Sequence, residues 1–136
     1  MPPLPTLTPA EFTIMKALWS AGDSTVADVR AVLASSGSEA AYTTVMTLLG
    51  RLAGKGAVHV DRSREPFMYS AAIRKQQVAR QRLREFLRDV FDNDAGNLVL
   101  GLVEDSALSV DELRQLEGRV EQLRRAERKR KPGQGS

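Results

Sequence analysis

Apolar positions recur at helical spacing up to residue 54, alternate over the next stretch, and then return to helical spacing. Ala10, Ile14, Met15 and Leu18 form a first stripe, with Phe12 and Trp19 at its margins. Thr8 can cap this helix, Pro9 suits its first position, and Glu11 completes a capping box. Gly22-Asp23 ends it, and Thr25 with Asp28 starts a second helix whose apolar side is Val26, Val29, Val32 and Leu33. Ser35-Ser36-Gly37-Ser38 reads as a loop. A third helix follows at about 41–55, with Val45, Leu48, Leu49 and Leu52 on one face. Its opposite face carries Thr43, Thr47, Gly50 and Gly54, flanked by Met46 on one side and Thr44 and Arg51 on the other. A solvated helix face normally carries Glu, Lys and Gln. This one has small hydroxyls and two glycines, each costing about 1 kcal/mol of helix propensity, and is shaped to lie close against something. Gly56 then stops the helix as a C′ glycine.

Beyond Gly56 the period changes. Ala57 to Arg62 alternates and is rich in β-branched residues, predicting a strand; Ser63-Arg64-Glu65-Pro66 is a polar turn, and Phe67 to Ser70 is the returning strand. Arg62 and Arg64 lie at the hairpin tip. Three helices followed by a basic hairpin is the order of a winged helix-turn-helix. Residues 73–91 are helical again, with Val78, Leu83, Phe86, Leu87, Val90 and Phe91 apolar and Arg74, Lys75, Arg80, Arg82, Arg84 and Arg88 on the other faces. Asp92-Asn93-Asp94 breaks this helix, a short apolar helix covers 98–103, and Ser109 with Glu112 opens a last one. There Leu113, Leu116, Val120 and Leu123 are spaced 3-4-3. So short a seam cannot hold a coiled coil alone and needs other surfaces beside it.

The fold class is therefore mainly α with a small β-hairpin: a winged helix-turn-helix N-terminal domain and a C-terminal helical domain, whose apolar residues either pack on the winged helix or make it a dimerisation domain shared with a second copy. Residues 1–7 are expected to be a flexible, proline-rich arm, 8–72 the winged helix, 73–125 the helical domain, and 126–136 a basic disordered tail.

Composition narrows the chemistry. The 136 residues carry twenty Lys+Arg against seventeen Asp+Glu, a formal charge of +3, which permits nucleic acid without demanding it. The absence of cysteine excludes disulfides, thiolate chemistry, Cys-ligated zinc and copper sensing through Cys. No apolar run approaches the roughly 18 residues of a membrane span and no signal-peptide pattern opens the chain, so a cytoplasmic protein without membrane insertion is expected. No nucleophile elbow, phosphate loop or paired catalytic constellation appears, which argues against an enzyme. No cofactor is expected: His59, the one histidine, reads as an ordinary strand residue, and Trp19 as core.

Thr43, Thr44 and Thr47 either are plain surface threonines or meet DNA, where they can donate to phosphate or base edges and set methyl groups on thymine; Met46 offers apolar contact only. Arg51 suits guanine, a phosphate or an acid within the domain. Tyr42 either packs against the first helix or reaches a phosphate, and Arg62 and Arg64 either are solvated or lie on the DNA backbone.

The sequence resembles the BlaI/MecI (penicillinase repressor) family of bacterial transcriptional repressors. The resemblance is carried by Leu7-Thr8-Pro9-Ala10-Glu11, Ile14-Met15, Leu18-Trp19, Thr25-Val26-Ala27-Asp28-Val29, Ala41-Tyr42-Thr43-Thr44-Val45-Met46-Thr47-Leu48-Leu49, Arg51-Leu52, Lys55-Gly56 and Tyr69-Ser70. It continues distally through Leu98-Val99-Leu100, Val103-Glu104, Leu108-Ser109 and Glu112-Leu113. It implies a homodimer on palindromic double-stranded operator DNA, with DNA contacts from Tyr42, Thr43, Thr44, Met46, Thr47, Arg51, Arg62 and Arg64. It places dimerisation on Phe86, Leu87, Val90, Leu98, Leu102, Leu113, Leu116, Val120 and Leu123. In the β-lactam branch a membrane sensor with a metalloprotease domain triggers repressor cleavage. The scissile Asn-Phe of well-known members aligns with Gly101-Leu102, where this sequence departs from the family. The copper branch uses a Cys cluster that this chain lacks. Two alternatives belong to other classes: a regulator with a small-molecule pocket at the dimer core, and a winged helix used for protein–protein assembly.

Overall fold

The computed structural model describes residues 4–130. Six helices and one hairpin follow in the order α1 (Pro9–Ala21), α2 (Val26–Ser35), α3 (Tyr42–Gly54), β1 (Val58–Asp61), β2 (Met68–Ala71), α4 (Lys75–Phe91), α5 (Ala95–Glu104) and α6 (Val110–Arg130). The chain is mainly helical, with a winged helix-turn-helix followed by C-terminal helices.

The local start signals act as expected. Thr8 and Glu11 exchange bonds at 2.8 and 3.2 Å, Thr25 and Asp28 at 3.0 and 3.1 Å, and Ser109 and Glu112 at 3.0 and 3.1 Å. Each pair satisfies amide groups that a helix start leaves without partners. Asp94 caps α5 by accepting from the Asn97 amide at 3.0 Å. At the end of α3, Gly56 has φ 79°, the Ala57 amide donates to the Leu52 carbonyl and the Gly56 amide to that of Ala53. This is a Schellman stop, and its left-handed residue favours glycine.

The chain forms two compact units that divide between Arg84 and Glu85, inside α4. The expected division at 72/73 lies where the hairpin ends. The first half of α4 instead joins the N-terminal unit, because Val78 is buried in its core and the Arg82 guanidinium donates to the Leu7 carbonyl at 2.8 Å.

In this first unit α1, α2 and α3 pack on one another and on the hairpin around Ile14, Met15, Leu18, Val29, Leu33, Val45, Leu49 and Leu52. Ala17 is buried where Ala10 was expected: Ala10 stands exposed in the first turn. Trp19 sits partly buried at the core margin, edge-on to Phe12 at 5.9 Å, with Nε1 donating to the Ile73 carbonyl at 2.9 Å. β1 and β2 are antiparallel, with Val58 opposite Ala71 and Asp61 opposite Met68. Ser24, in the loop between α1 and α2, exchanges two backbone bonds with Tyr69, of 2.9 and 2.7 Å. Loop and wing are thereby joined.

Residues 4–7 do not behave as a free arm. Leu7 is buried, and the Thr6 carbonyl accepts from Lys55 Nζ at 2.8 Å. Apolar burial and two cations seeking acceptors hold this stretch down. Residues 126–130, expected in the tail, continue α6 to Arg130; residues 1–3 and 131–136 lie outside the described residues.

The second unit differs in kind. Among the described residues no side chain of α5 or α6 is buried, and in α4 only Val78 is, on the first-unit side of the division. Val90, Leu100, Leu102, Leu116, Val120 and Leu123 are all exposed.

Candidate nucleic-acid interface

The third helix divides as its pattern predicts, with one change. Val45, Leu49 and Leu52 are fully buried, whereas Leu48 is only partly so. Leu48 lines a shallow outer hollow of about 260 Å³ with Thr43, Thr44, Thr47 and Arg51. It sits at the edge of the apolar arc, where a helix surface passes from core to solvent. Tyr42 and Met46 are each 45% exposed, and Thr43, Thr44, Thr47, Gly50, Arg51 and Gly54 all face out. A Cβ built on Gly50 or Gly54 would meet nothing within 4 Å, so no packing inside the chain calls for glycine there. The bareness is directed outward. Arg51 has no acidic partner among the described residues, which leaves its guanidinium available.

Tyr42 does not enter the core. Its ring lies 6.0 Å from the guanidinium carbon of Arg30, an α2 residue. Arg30 Nε also donates to the Ala40 carbonyl at 3.1 Å, which ties α2 to the turn that starts α3.

The far end of α3 is anchored. Lys55 Nζ lies 2.6 Å from Glu11 Oε1, which also accepts from the Thr8 amide at 2.8 Å. Glu11 is 1% exposed. Burial pushes its carboxyl up, but the Lys55 ammonium and the Thr8 donors outweigh this and hold it below the usual carboxylate range. Sequence reading placed Glu11 in a cap and missed the ion pair, since nothing local signals a partner so distant in the chain.

At the wing tip Arg62 and Arg64 are exposed, as are all residues from Asp61 to Pro66. The Arg62 guanidinium lies 5.9 Å from the Phe67 ring centroid. Asp61 accepts from both the hydroxyl and the amide of Ser63, bonds that hold its carboxyl below its ordinary value. The tip is thus a set turn carrying two cations. His59 is exposed on β1, opposite Ser70.

In the second unit the seam residues Leu116, Val120 and Leu123 are exposed, while Leu113 and Leu98 are half-buried. Val99, Leu113, Leu116 and Val120 line an apolar hollow of about 410 Å³. Phe86 is exposed, Leu87 half-buried, and the Phe86 and Phe91 rings lie 5.5 Å apart. Gly101 and Leu102 lie inside α5, where their carbonyls accept from the Asp105 and Ala107 amides at 3.0 Å each. No helix among the described residues is long and apolar enough to cross a membrane.

A bare third helix beside a two-stranded wing is what winged-helix proteins that bind DNA present. Residues 7–122 match the family described as Penicillinase repressor, and the chain belongs to that family of transcriptional repressors, which are regulators and not enzymes. A penicillinase repressor from Bacillus licheniformis is 26% identical over 116 residues, covering 85% of this chain and 90% of that protein. Among solved structures, the DNA-binding domain of the repressor BlaI is 27% identical (TM-score 0.47), with 55% of this chain and 90% of that one covered. The B. licheniformis BlaI monomer bound to the blaP half-operator is 29% identical (TM-score 0.46), covering 56% and 92%. A MarR family protein from Bacillus stearothermophilus shares the fold at 19% identity and a TM-score of 0.50, covering 88% and 74%.

Proposed function

We propose that the protein represses transcription as a homodimer, each copy laying α3 in the major groove of one half of a palindromic operator. Thr43, Thr44, Met46, Thr47 and Arg51 face base edges. Tyr42, Arg62 and Arg64 take the backbone. The observation that carries this reading is the outer face of α3: exposed, nearly without charge, and bared by two glycines that no internal contact requires. Small hydroxyls and methyls suit close approach to base edges, and they leave part of the selectivity to DNA shape and half-site spacing.

The dimer reading rests on the second unit, none of whose described apolar residues is fully buried within one chain. Leaving such a surface in water is unfavourable, and a second copy would bury it. The dimer couples two modest half-site affinities through effective concentration. Repression then works by occupancy in the cytoplasm, and whatever separates the C-terminal units lifts it. Proteolysis triggered by a membrane metalloprotease sensor, as in β-lactam regulation, would act at Gly101-Leu102. Because that bond is helical, α5 must first unwind locally before a protease can hold it extended.

A gel-shift titration against the DNA upstream of its own gene, at several salt concentrations, tests the reading. Binding is expected to weaken linearly in log–log form as salt rises. A salt-insensitive result, or none above non-specific binding, would remove it in favour of protein–protein assembly.

A further inference from the structure

Arg30 stands apart from the residues that the helix pattern nominates, because it projects from α2. It is exposed, yet its geometry is set. Nε donates to the Ala40 carbonyl at 3.1 Å, and the guanidinium carbon lies 6.0 Å from the Tyr42 ring centroid. The two partners flank Ala41, the N-cap of α3, and Tyr42 is the first residue of that helix. Among the described residues the terminal nitrogens of Arg30 bond no protein acceptor. Arg30 also lines a hollow of about 610 Å³, walled otherwise by alanines of α2 and of the α2–α3 loop, with Glu39 as its acid. Apart from Glu39, those walls carry no long side chain that would hold a polymer strand away.

We propose that Arg30 is a DNA-backbone contact: its inner nitrogen and its ring contact fix Tyr42 and the start of α3, and its terminal nitrogens take a phosphate of the strand passing there. The guanidinium suits both tasks at once. Its planar fork lets one edge hold protein while another accepts a bidentate anion, whereas an ammonium would supply charge without the fork. The ring contact gives up little of that charge, because cation–π attraction at an exposed site is weak beside a phosphate. Glu39 opposes the phosphate, so removing its charge favours binding.

The inference rests on α3 being the recognition helix, and its test separates the two. Full-length wild type, Arg30→Met, Arg30→Lys, Arg30→Gln, Glu39→Gln and Thr47→Ala are titrated on operator DNA across a salt series, with melting temperatures taken in parallel. Arg30→Met is expected to weaken binding about three- to tenfold per half-site and to flatten the log K against log salt slope by about 0.9 per half-site. Arg30→Lys keeps the wild-type slope but recovers only part of the affinity, and Glu39→Gln binds more tightly than wild type. A wild-type slope in Arg30→Met overturns the proposal. Should Arg30→Met fail to fold, equal slopes for Arg30→Lys and Arg30→Gln overturn it instead. Wild type that responds to Thr47→Ala but not to Arg30 changes leaves the recognition helix standing and removes Arg30 alone. Wild type with no salt-dependent binding removes both.

Discussion

Two threonines and one ion pair give the sharpest tests at the residue scale. Thr43 and Thr47 are exposed and pack no core, so Thr43→Ala and Thr47→Ala should change stability by under about 0.5 kcal/mol, as surface substitutions do. Each should shift the preferred operator sequence, read by binding selection on a randomised half-site. Loss of folding without a selective DNA defect would mean that this face of α3 serves the fold and does not read DNA. Glu11 tests differently. Its folded pKa is lowered, so its pairing contributes stability that is present above the unfolded pKa and lost as pH falls through the folded one. The urea midpoint of wild type should therefore fall on going from neutral pH to pH about 3 more steeply than that of Glu11→Gln. Lys55→Met, which strands a buried carboxylate, should cost about 2 kcal/mol at neutral pH. The capping boxes were legible in the sequence because their partners stand three residues apart. The Glu11–Lys55 and Arg30–Ala40 contacts were not, since each depends on how separate helices pack.

Among the elements, α3 shows how a helix can give up stability on one side. Gly50 sits mid-helix with open space where a side chain would go. Gly50→Ala should stabilise the first unit by about 0.5–1 kcal/mol. On the proposed reading it should also weaken operator binding, because the new methyl stands on the approach face. A variant that is both more stable and equally tight on DNA would show that the glycine does not serve approach. Helix and strand identities were all readable from period and punctuation. What escaped was the tie between Ser24 and Tyr69: a single bridging residue in a loop has no period, so no pattern announces it.

Across the whole molecule, burial is uneven. The described buried residues run from Leu7 to Val78, all within the first unit. A chain ending after Phe91 should therefore fold as a monomer and bind operator DNA weakly; unchanged operator affinity in that truncation would sink the dimer model. The seam was legible as an unpartnered stripe, while the position of the unit boundary within α4 was not, because Val78 and Arg82 look like any other turn of an amphipathic helix. The absence of a closed core in the distal helices also bears on gene dosage. If those helices complete their packing only on meeting a second copy, pairing varies with the square of the number of free chains. Repression should then rise with copy number more steeply than simple saturation. Promoter output plotted against graded repressor expression should show that curvature in the full-length protein and lose it in the chain ending after Phe91.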